Sequence, residues 1–383
     1  MIYMLHSIGN TYTDWIYKFL SIKLNQVENL FLHLANKKIK TFFIRELYNN
    51  DFKLADNEIA LSFDDGYLDN WVYLFPLLEK YNIKATIFVN PEFVDPRNLV
   101  REKSLAEFPL KNSDNALGFL SWEEMKIMEK SGLVDIQSHT MSHTWYSTSP
   151  KLIDFYLPTQ NFKPKSIYQK YPWISWNEKP EQKPYTHNTF AYYSKKYGFP
   201  IFENGRSLGI RKFIPEDNLI ENMINWVTDN PEIITQRDHN SLFEKFNEFK
   251  SHDIGRFETD NELKERYWYE LTESKKIIEK KLNKEVNILC WPGGAYNEVS
   301  LKMSEEAGYI ASTISSKEKN PIENKNKTYK RIPRKPMTGN VSYKNKYYGP
   351  SFFNNVLVHK NYPQVLSNTL IKTEKLVRLV LNK

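Results

Sequence analysis

Four times along this chain a short apolar run stops at a polar or glycine-bearing turn: EIALSFDDG at 58–66, KATIFVN at 84–90, VDIQSHT at 134–140 and VNILCWPGG at 286–294. Runs of this length, rich in β-branched and aromatic residues, read as buried strands. The stretches between them have helical period. Leu68, Trp71, Leu74, Phe75 and Leu78 share one helical face, and Ser121-x-x-Glu124 is a capping box opening WEEMKIMEKSG, which Gly132 stops. Thr259-x-x-Glu262 opens a longer helix with Leu263, Tyr267, Leu271, Ile278 and Leu282 along one side. Another helix ends at Gly308, YIASTI follows as a strand, and residues 2–8 read as a first short strand. Strands alternating with helices imply a parallel sheet covered by helices. An open doubly wound sheet and a closed α/β barrel both satisfy the pattern. The barrel is preferred, because every residue with chemistry falls at a strand C-terminus.

The rhythm breaks between about 145 and 258, a segment rich in proline, tyrosine and tryptophan. A structureless loop of that length is improbable in a compact domain, so the segment reads as an insertion with its own short helices, for example LFEKFNEFK at 242–250. The expected organisation is a single domain over 1–383, with this insertion and a C-terminal basic amphipathic helix at about 365–383. In that helix Leu366, Leu370, Val377 and Val380 lie on one face, and Lys372, Lys375 and Arg378 are polar. It suits packing on the protein body or contact with a membrane surface.

The first chemical constellation is Asp64-Asp65-Gly66 at a strand end. The backbone turns there, so both carboxylates can reach one site. The second is His139-Thr140-Met141-Ser142-His143. Two histidines four residues apart converge if the chain makes one helical turn after the strand. One carboxylate and two neutral imidazoles would leave a tetrahedral ion one open position for water, the catalytic rather than the structural pattern. Asp65 capping the next helix and two ordinary surface histidines are the plainer readings. Trp291-Pro292-Gly293-Gly294 is a turn or a backbone rim beside such a site. His359, ending the apolar run NVLVH, is a lone histidine of structural or catalytic use.

The order FDDG, HxxxH, Pro-Gly turn, LxH resembles the polysaccharide deacetylases of the NodB-homology type, carbohydrate esterase family four. LSFDDGYLDN with KATIFVN, SWEEMKIMEKSGLVDIQSHTMSH, and VNILCWPGGAYN with EEAGYIAST carry the resemblance, over roughly residues 58–146 and 260–315. It implies a distorted (β/α)7 barrel, with the insertion after HxxxH. It implies a divalent metal, zinc or another such as cobalt or nickel, on Asp65, His139 and His143. Asp64 would be the general base and His359 the general acid in hydrolysis of an N-acetyl group on a sugar. Tyr67, through its backbone N–H, and Trp145, Trp291, Pro292, Gly293 and Arg334 would contact substrate. The family's third motif usually carries an arginine paired with the base. Cys290 and Trp291 stand there instead, and Arg331 and Arg334 in KRIPRKP are substitutes from another strand.

Composition narrows the partners. The net charge of +7 is spread along the chain without an arginine-rich arm or a nucleic-acid-binding signature, so no nucleic-acid partner is expected. Aromatic residues make up 15%, and rings such as Trp145, Tyr146, Tyr171, Trp173, Trp176, Tyr192 and Tyr193 suit either sugar stacking or the insertion's own core. Cys290 is the only cysteine, so no intrachain disulfide is available. MIYMLHSIGN lacks the features of a secretory leader. The expectation is a cytoplasmic protein with peripheral membrane contact through the C-terminal helix, acting on an N-acetylated carbohydrate in a glycan, glycolipid or precursor. Two other readings stay open: an amidohydrolase acting on a cyclic imide or ureide, and a glycan-binding protein without activity. A mononuclear iron oxygenase also fits two histidines and a carboxylate, but usually in a different ligand order.

Overall fold

The computed structural model describes residues 1–9, 20–103, 116, 118–157, 197–236, 238–250, 254–314, 328–337, 341–343 and 346–348. Eight parallel strands build a nearly closed barrel: β1 (Ile2–Leu5), β2 (Glu58–Phe63), β3 (Ala85–Val89), β4 (Val134–Ser138), β5 (Ile288–Leu289), β6 (Ala311–Ile314), β7 (Lys330–Pro333) and β8 (Lys335–Pro336). Their order around the wall is β7-β6-β5-β4-β3-β2-β1-β8. β7 pairs with β6, placing Ala311 opposite Lys330, and β8 pairs with β1, placing Tyr3 opposite Lys335. These two strands are consecutive pieces of one run, which therefore joins both edges of the sheet with Arg334 at the joint. Counted as a single stave, they make the wall the seven-stave distorted barrel that the resemblance implies.

Strand alternation assigns the two faces. Ile2, Ala60, Phe88, Ile288, Cys290, Ala311 and Ile332 point inward and pack together, with Ile44, Leu47 and Phe52 closing one end. Tyr3, Leu5, Leu61, Phe63, Ile87, Val89, Val134, Ile136 and Leu289 point outward under the helices. The outward face is thus apolar, as expected for strands under helices, while the inward face also buries polar side chains, among them Ser62, Thr86, Asp135 and Gln137. The capping boxes at Ser121 and Thr259 form with both reciprocal bonds. The strand expected over 286–291 is shorter, Ile288–Leu289, although the Cys290 N–H still donates to the Ser138 carbonyl at 2.9 Å and Trp291 stays extended.

Helix 260–282 is continuous but contains one wide turn over Tyr269–Glu273. A matching wide turn opens the helix after β2, over Asn70–Leu74. Each shifts the buried face by about one residue relative to a regular helix.

After β4 the chain leaves the barrel through a long antiparallel hairpin, Trp145–Phe155 with Pro200–Arg206. Helices Asp217–Asp229 and His239–Phe249 pack on it. Phe155, Phe202, Leu219, Met223, Val227, Leu242 and Phe246 form a second hydrophobic core. Tyr171, Trp173, Trp176, Tyr192, Tyr193, His359 and the C-terminal helix lie outside the described residues. Among the described residues no helix is long and apolar enough to cross a membrane.

Candidate active site

Following the inward face of the wall past the strand ends brings Asp64, Asn90, His139, Cys290 and Arg334 to one end of the barrel. Asp64 continues the register of Ala60 and Ser62, and its N–H donates to the Leu5 carbonyl at 2.9 Å. Asp65 follows in the left-handed region, with φ 77°, which swings its carboxylate to the same side.

The two acids have different partners. Asp64 is 3% exposed and receives a two-pronged salt bridge: Arg334 Nη1 donates to Oδ1 at 2.7 Å and Nη2 to Oδ2 at 2.9 Å. The same guanidinium donates to Ser62 Oγ at 3.0 Å and contacts Cys290 Sγ at 2.9 Å. Burial alone would raise the Asp64 pKa. The adjacent Arg334 charge and its hydrogen bonds outweigh burial and hold the carboxyl below the usual range, so Asp64 is ionised. Arg331, the other candidate for this pairing, instead lies over the Tyr296 ring at 4.2 Å.

Asp65 Oδ2 accepts from the Tyr67 hydroxyl at 2.8 Å. Oδ1 is buried without a hydrogen bond, yet lies 3.3 Å from His139 Nε2 and 3.5 Å from His143 Nε2. Three ligand atoms within 4.8 Å of one another, one of them an otherwise unsatisfied carboxylate oxygen, fit a small divalent cation. His139 Nδ1 faces the Cys290 carbonyl at 2.9 Å, which turns Nε2 towards Asp65, the usual outer-shell support of a metal-binding imidazole. Burial lowers the His143 pKa to about 4, so its imidazole is neutral, the form that ligates metal. Burial acts on His139 the same way, but Cys290, Asp65 and Asp64 outweigh it and raise its pKa. Asp64, His139 and Cys290 form a second, overlapping group of potential ligands. There Asp64 already carries Arg334, so the group with free acceptors is Asp65, His139 and His143.

The expected helical turn between the histidines is absent. Residues 139–144 are an irregular loop in which Thr140 (φ 65°) and His143 (φ 52°) are left-handed. The imidazoles still converge, with ring centroids 5.2 Å apart, because bonds from other elements shape the loop. Asn90 Nδ2 donates to the carbonyls of His139 and Thr140, and Glu270 accepts from Met141 and Ser142.

The residues expected to meet substrate are divided. Trp145 is half-buried, with the Arg206 guanidinium 4.8 Å above its ring. Gly293 is exposed at φ 55°, and a Cβ there would meet Arg206 Nε at 2.2 Å. Pro292 is buried, and Trp291 is 1% exposed and stacked on Tyr296. The Tyr67 side chain is spent on Asp65, and Arg334 sits behind Asp64.

Sequence reading did not single out Asn90, Glu270 or His6. His6 follows β1, two residues beyond Met4 on the inward alternation and directly after Leu5, whose carbonyl holds the Asp64 N–H. Its carbonyl accepts from Asn70 Nδ2 at 3.1 Å. Glu270 carried a signal, an acid on the buried face between Tyr267 and Ser274. His6 carried one too, a histidine just past a strand end.

Comparison with known proteins agrees with this geometry. The family model described as polysaccharide deacetylase matches residues 52–170 and 225–312, more than half of the chain. YxkH of Bacillus subtilis (strain 168), whose name places it in the same family, is 30% identical over 97 residues, 25% of this chain and 27% of its own length. Poly-beta-1,6-N-acetyl-D-glucosamine N-deacetylase of Escherichia coli (strain K12) is 24% identical over 129 residues, 32% of this chain and 18% of that enzyme. The aligned segments thus span about a quarter or less of these relatives' lengths. The solved structure of a de-N-acetylase from Aggregatibacter actinomycetemcomitans superposes with a TM-score of 0.51 at 18% identity, covering 90% of this chain and 97% of that one, and so shares its fold. With the family match over most of the barrel and the family's acid and histidine motifs gathered at one end of it, the chain belongs to the polysaccharide deacetylase family.

Proposed function

We propose that this chain hydrolyses the acetamide of an N-acetylated sugar in a glycan or glycan precursor, with a divalent metal on Asp65, His139 and His143. The observation that carries the reading is the division of labour between the two adjacent acids. Asp65 presents an unsatisfied oxygen to two imidazoles, while Asp64 beside it is held ionised by Arg334. When bound, zinc or a similar ion supplies Lewis acidity and a water whose pKa falls to about 7.

Asp64 takes the proton from the attacking water. Arg334 fixes both oxygens of that carboxylate, so the base stays oriented through the reaction and does not swing towards the metal ligands. The Tyr67 backbone N–H, two residues beyond Asp65, is the proposed donor to the developing oxyanion. The leaving amine needs a proton before the C–N bond can break. His359, assigned by family resemblance, lies outside the described residues. His6 is a second imidazole, and the fold places it beside Asp64. The acid is the one whose removal suppresses turnover of an amide more than turnover of an activated acetyl ester, whose leaving group needs no proton.

A glycan-binding protein without activity drew its support from the missing third-motif arginine. Arg334 supplies that charge from the joint between β7 and β8, reaching both Asp64 and the Cys290 sulfur of the third motif, which removes that support. The test is acetate release from free, nucleotide-linked, lipid-linked and oligomeric N-acetylhexosamines by zinc-loaded wild type and Asp64→Asn. Release by the wild type, with about 10²- to 10⁴-fold less from the variant, is the expected result. Zinc bound in both proteins with no acetate from any substrate would refute the deacetylase reading.

A further inference from the structure

The loop between the two histidines has a shape that its own residues do not favour. Left-handed backbone is costly for a β-branched threonine, and uncommon for histidine, so the conformation at Thr140 and His143 has to be imposed from outside. Three elements impose it. Asn90 binds the carbonyls at the start of the loop, and the Glu92 N–H donates to the Met141 carbonyl at 3.2 Å. The third is Glu270, which is 1% exposed. Its Oε2 accepts from the N–H groups of both Met141 and Ser142, each at 3.0 Å, and its Oε1 accepts from the Ser142 hydroxyl.

Glu270 reaches this loop from the wide turn at Tyr269–Glu273 in helix 260–282. Four residues further along, the Ser274 hydroxyl pairs with that of Ser138 at 2.7 Å. One helix therefore grips the histidine segment twice, just before His139 and midway between His139 and His143. A carboxylate in this position is expensive to bury unless its lone pairs are filled, and Glu270 fills three acceptor sites with donors from the two central residues of the loop.

We propose that Glu270 is a positioning residue of the metal centre: by fixing the Met141–Ser142 segment it sets the separation and orientation of the His139 and His143 imidazoles, and so the affinity for the divalent ion. The proposal rests on the metal reading of the triad but not on the identity of the substrate.

The test measures the zinc dissociation constant of the metal-free full chain by competition with a chromophoric chelator. It compares wild type, Glu270→Gln, Ser142→Ala and, as a core control on the same helix, Ile278→Val. Glutamine keeps the volume but offers one acceptor oxygen and turns an NH2 donor towards groups that are themselves donors. The expected result is zinc binding weakened by about 10- to 100-fold in Glu270→Gln and by a smaller factor in Ser142→Ala. Ile278→Val should melt lower yet bind zinc within twofold of wild type. Cobalt(II) absorption bands of Glu270→Gln should also change in shape or intensity.

A folded Glu270→Gln protein with wild-type zinc affinity and an unchanged cobalt spectrum would overturn the proposal. So would an equal loss of affinity in Ile278→Val, which would mark general loosening. If Glu270→Gln does not fold, unaltered affinity in Ser142→Ala overturns it. Failure of the wild type to bind zinc would refute the metal triad, and the proposal with it, an outcome distinct from a variant that binds as well as wild type. No arm uses substrate, so the result is independent of acetate release.

Discussion

Asp64 and Asp65 are neighbours in sequence, and what meets their oxygens sets them apart. Asp64 has a guanidinium on both; Asp65 has a tyrosine hydroxyl on one and two imidazole nitrogens near the other. Arg334→Met would leave a buried carboxylate without its counter-ion and should cost about 3–5 kcal/mol in urea denaturation. The sign of the accompanying pH effect follows from the same pair. In the wild type Asp64 titrates below the ordinary carboxylate value and stays a base through the acid range. Without Arg334 burial loses its largest opposing influence, the pKa rises, and the acid limb of the pH–rate profile should move upward. Arg334→Lys retains a charge but not the two-pronged geometry and should fall between. His139 gives a second pH prediction. Its pKa is raised in the metal-free site, so below that value a proton competes with the ion. Zinc affinity should fall as pH drops through the raised value and keep falling below it, with release of up to one proton on binding. Calorimetric titration in buffers of different ionisation enthalpy reads that proton directly, and a pH-independent affinity over the same range would contradict the assignment.

Among the elements, those marked by local signals were legible in the sequence, and those set by contacts across the fold were not. The capping boxes at Ser121 and Thr259 form where the pattern S/T-x-x-E puts them, because their partners lie three residues apart. The acid and histidine motifs were readable for the same reason, since their spacing is short. The wide turns at Asn70–Leu74 and Tyr269–Glu273 were not readable, because a period of 3.6 describes the helix on either side of them equally well. Yet each wide turn carries a polar residue that pins the rim of the site: Asn70 holds the His6 carbonyl and Glu270 holds the histidine loop. Arg334 was visible only as one of two arginines on a late strand, and barrel closure is what brings it to Asp64. The Pro292–Gly294 turn, legible as a turn, has a role its letters do not show. Gly293 is left-handed and leaves room for Arg206 over Trp145. Gly293→Ala should cost about 1–2 kcal/mol in backbone strain and push the Arg206 side chain aside. Because Gly293 is not a ligand, zinc affinity should stay within twofold while kcat/KM falls. Loss of zinc affinity in this variant would show that the turn supports the ligands rather than the rim.

At the scale of the described residues, the hydrophobic packing of the barrel and that of the insertion have to be reconciled with one site. The barrel core surrounds the strands, and the second core joins the hairpin Trp145–Phe155 with Pro200–Arg206 to the helices packed on it. They meet through Leu208, which follows the hairpin and packs into the barrel cluster, and otherwise through polar links. Arg266, on the barrel side, binds Glu258 and the carbonyls of Ser207 and Ile210, while Tyr267 donates to the Ile210 carbonyl at 3.0 Å. Hydrogen bonds of this kind fix orientation but bury little apolar area, so the two cores have no strong reason to melt together. All three proposed metal ligands come from barrel strand ends or the loop directly after one, before the hairpin begins at Trp145. An ion that binds only the native site stabilises the unit containing its ligands, by about 2.7 kcal/mol at a free concentration one hundred times its dissociation constant. Zinc should therefore raise protection from hydrogen exchange in peptides spanning β2, β3 and β4, and EDTA should reverse it. Peptides from Asp217–Asp229 and His239–Phe249 should exchange at the same rate in both conditions. Equal protection of both sets would mean that the hydrogen-bonded seam couples the cores into one cooperative unit, and that the insertion is ordered by the metal it borders.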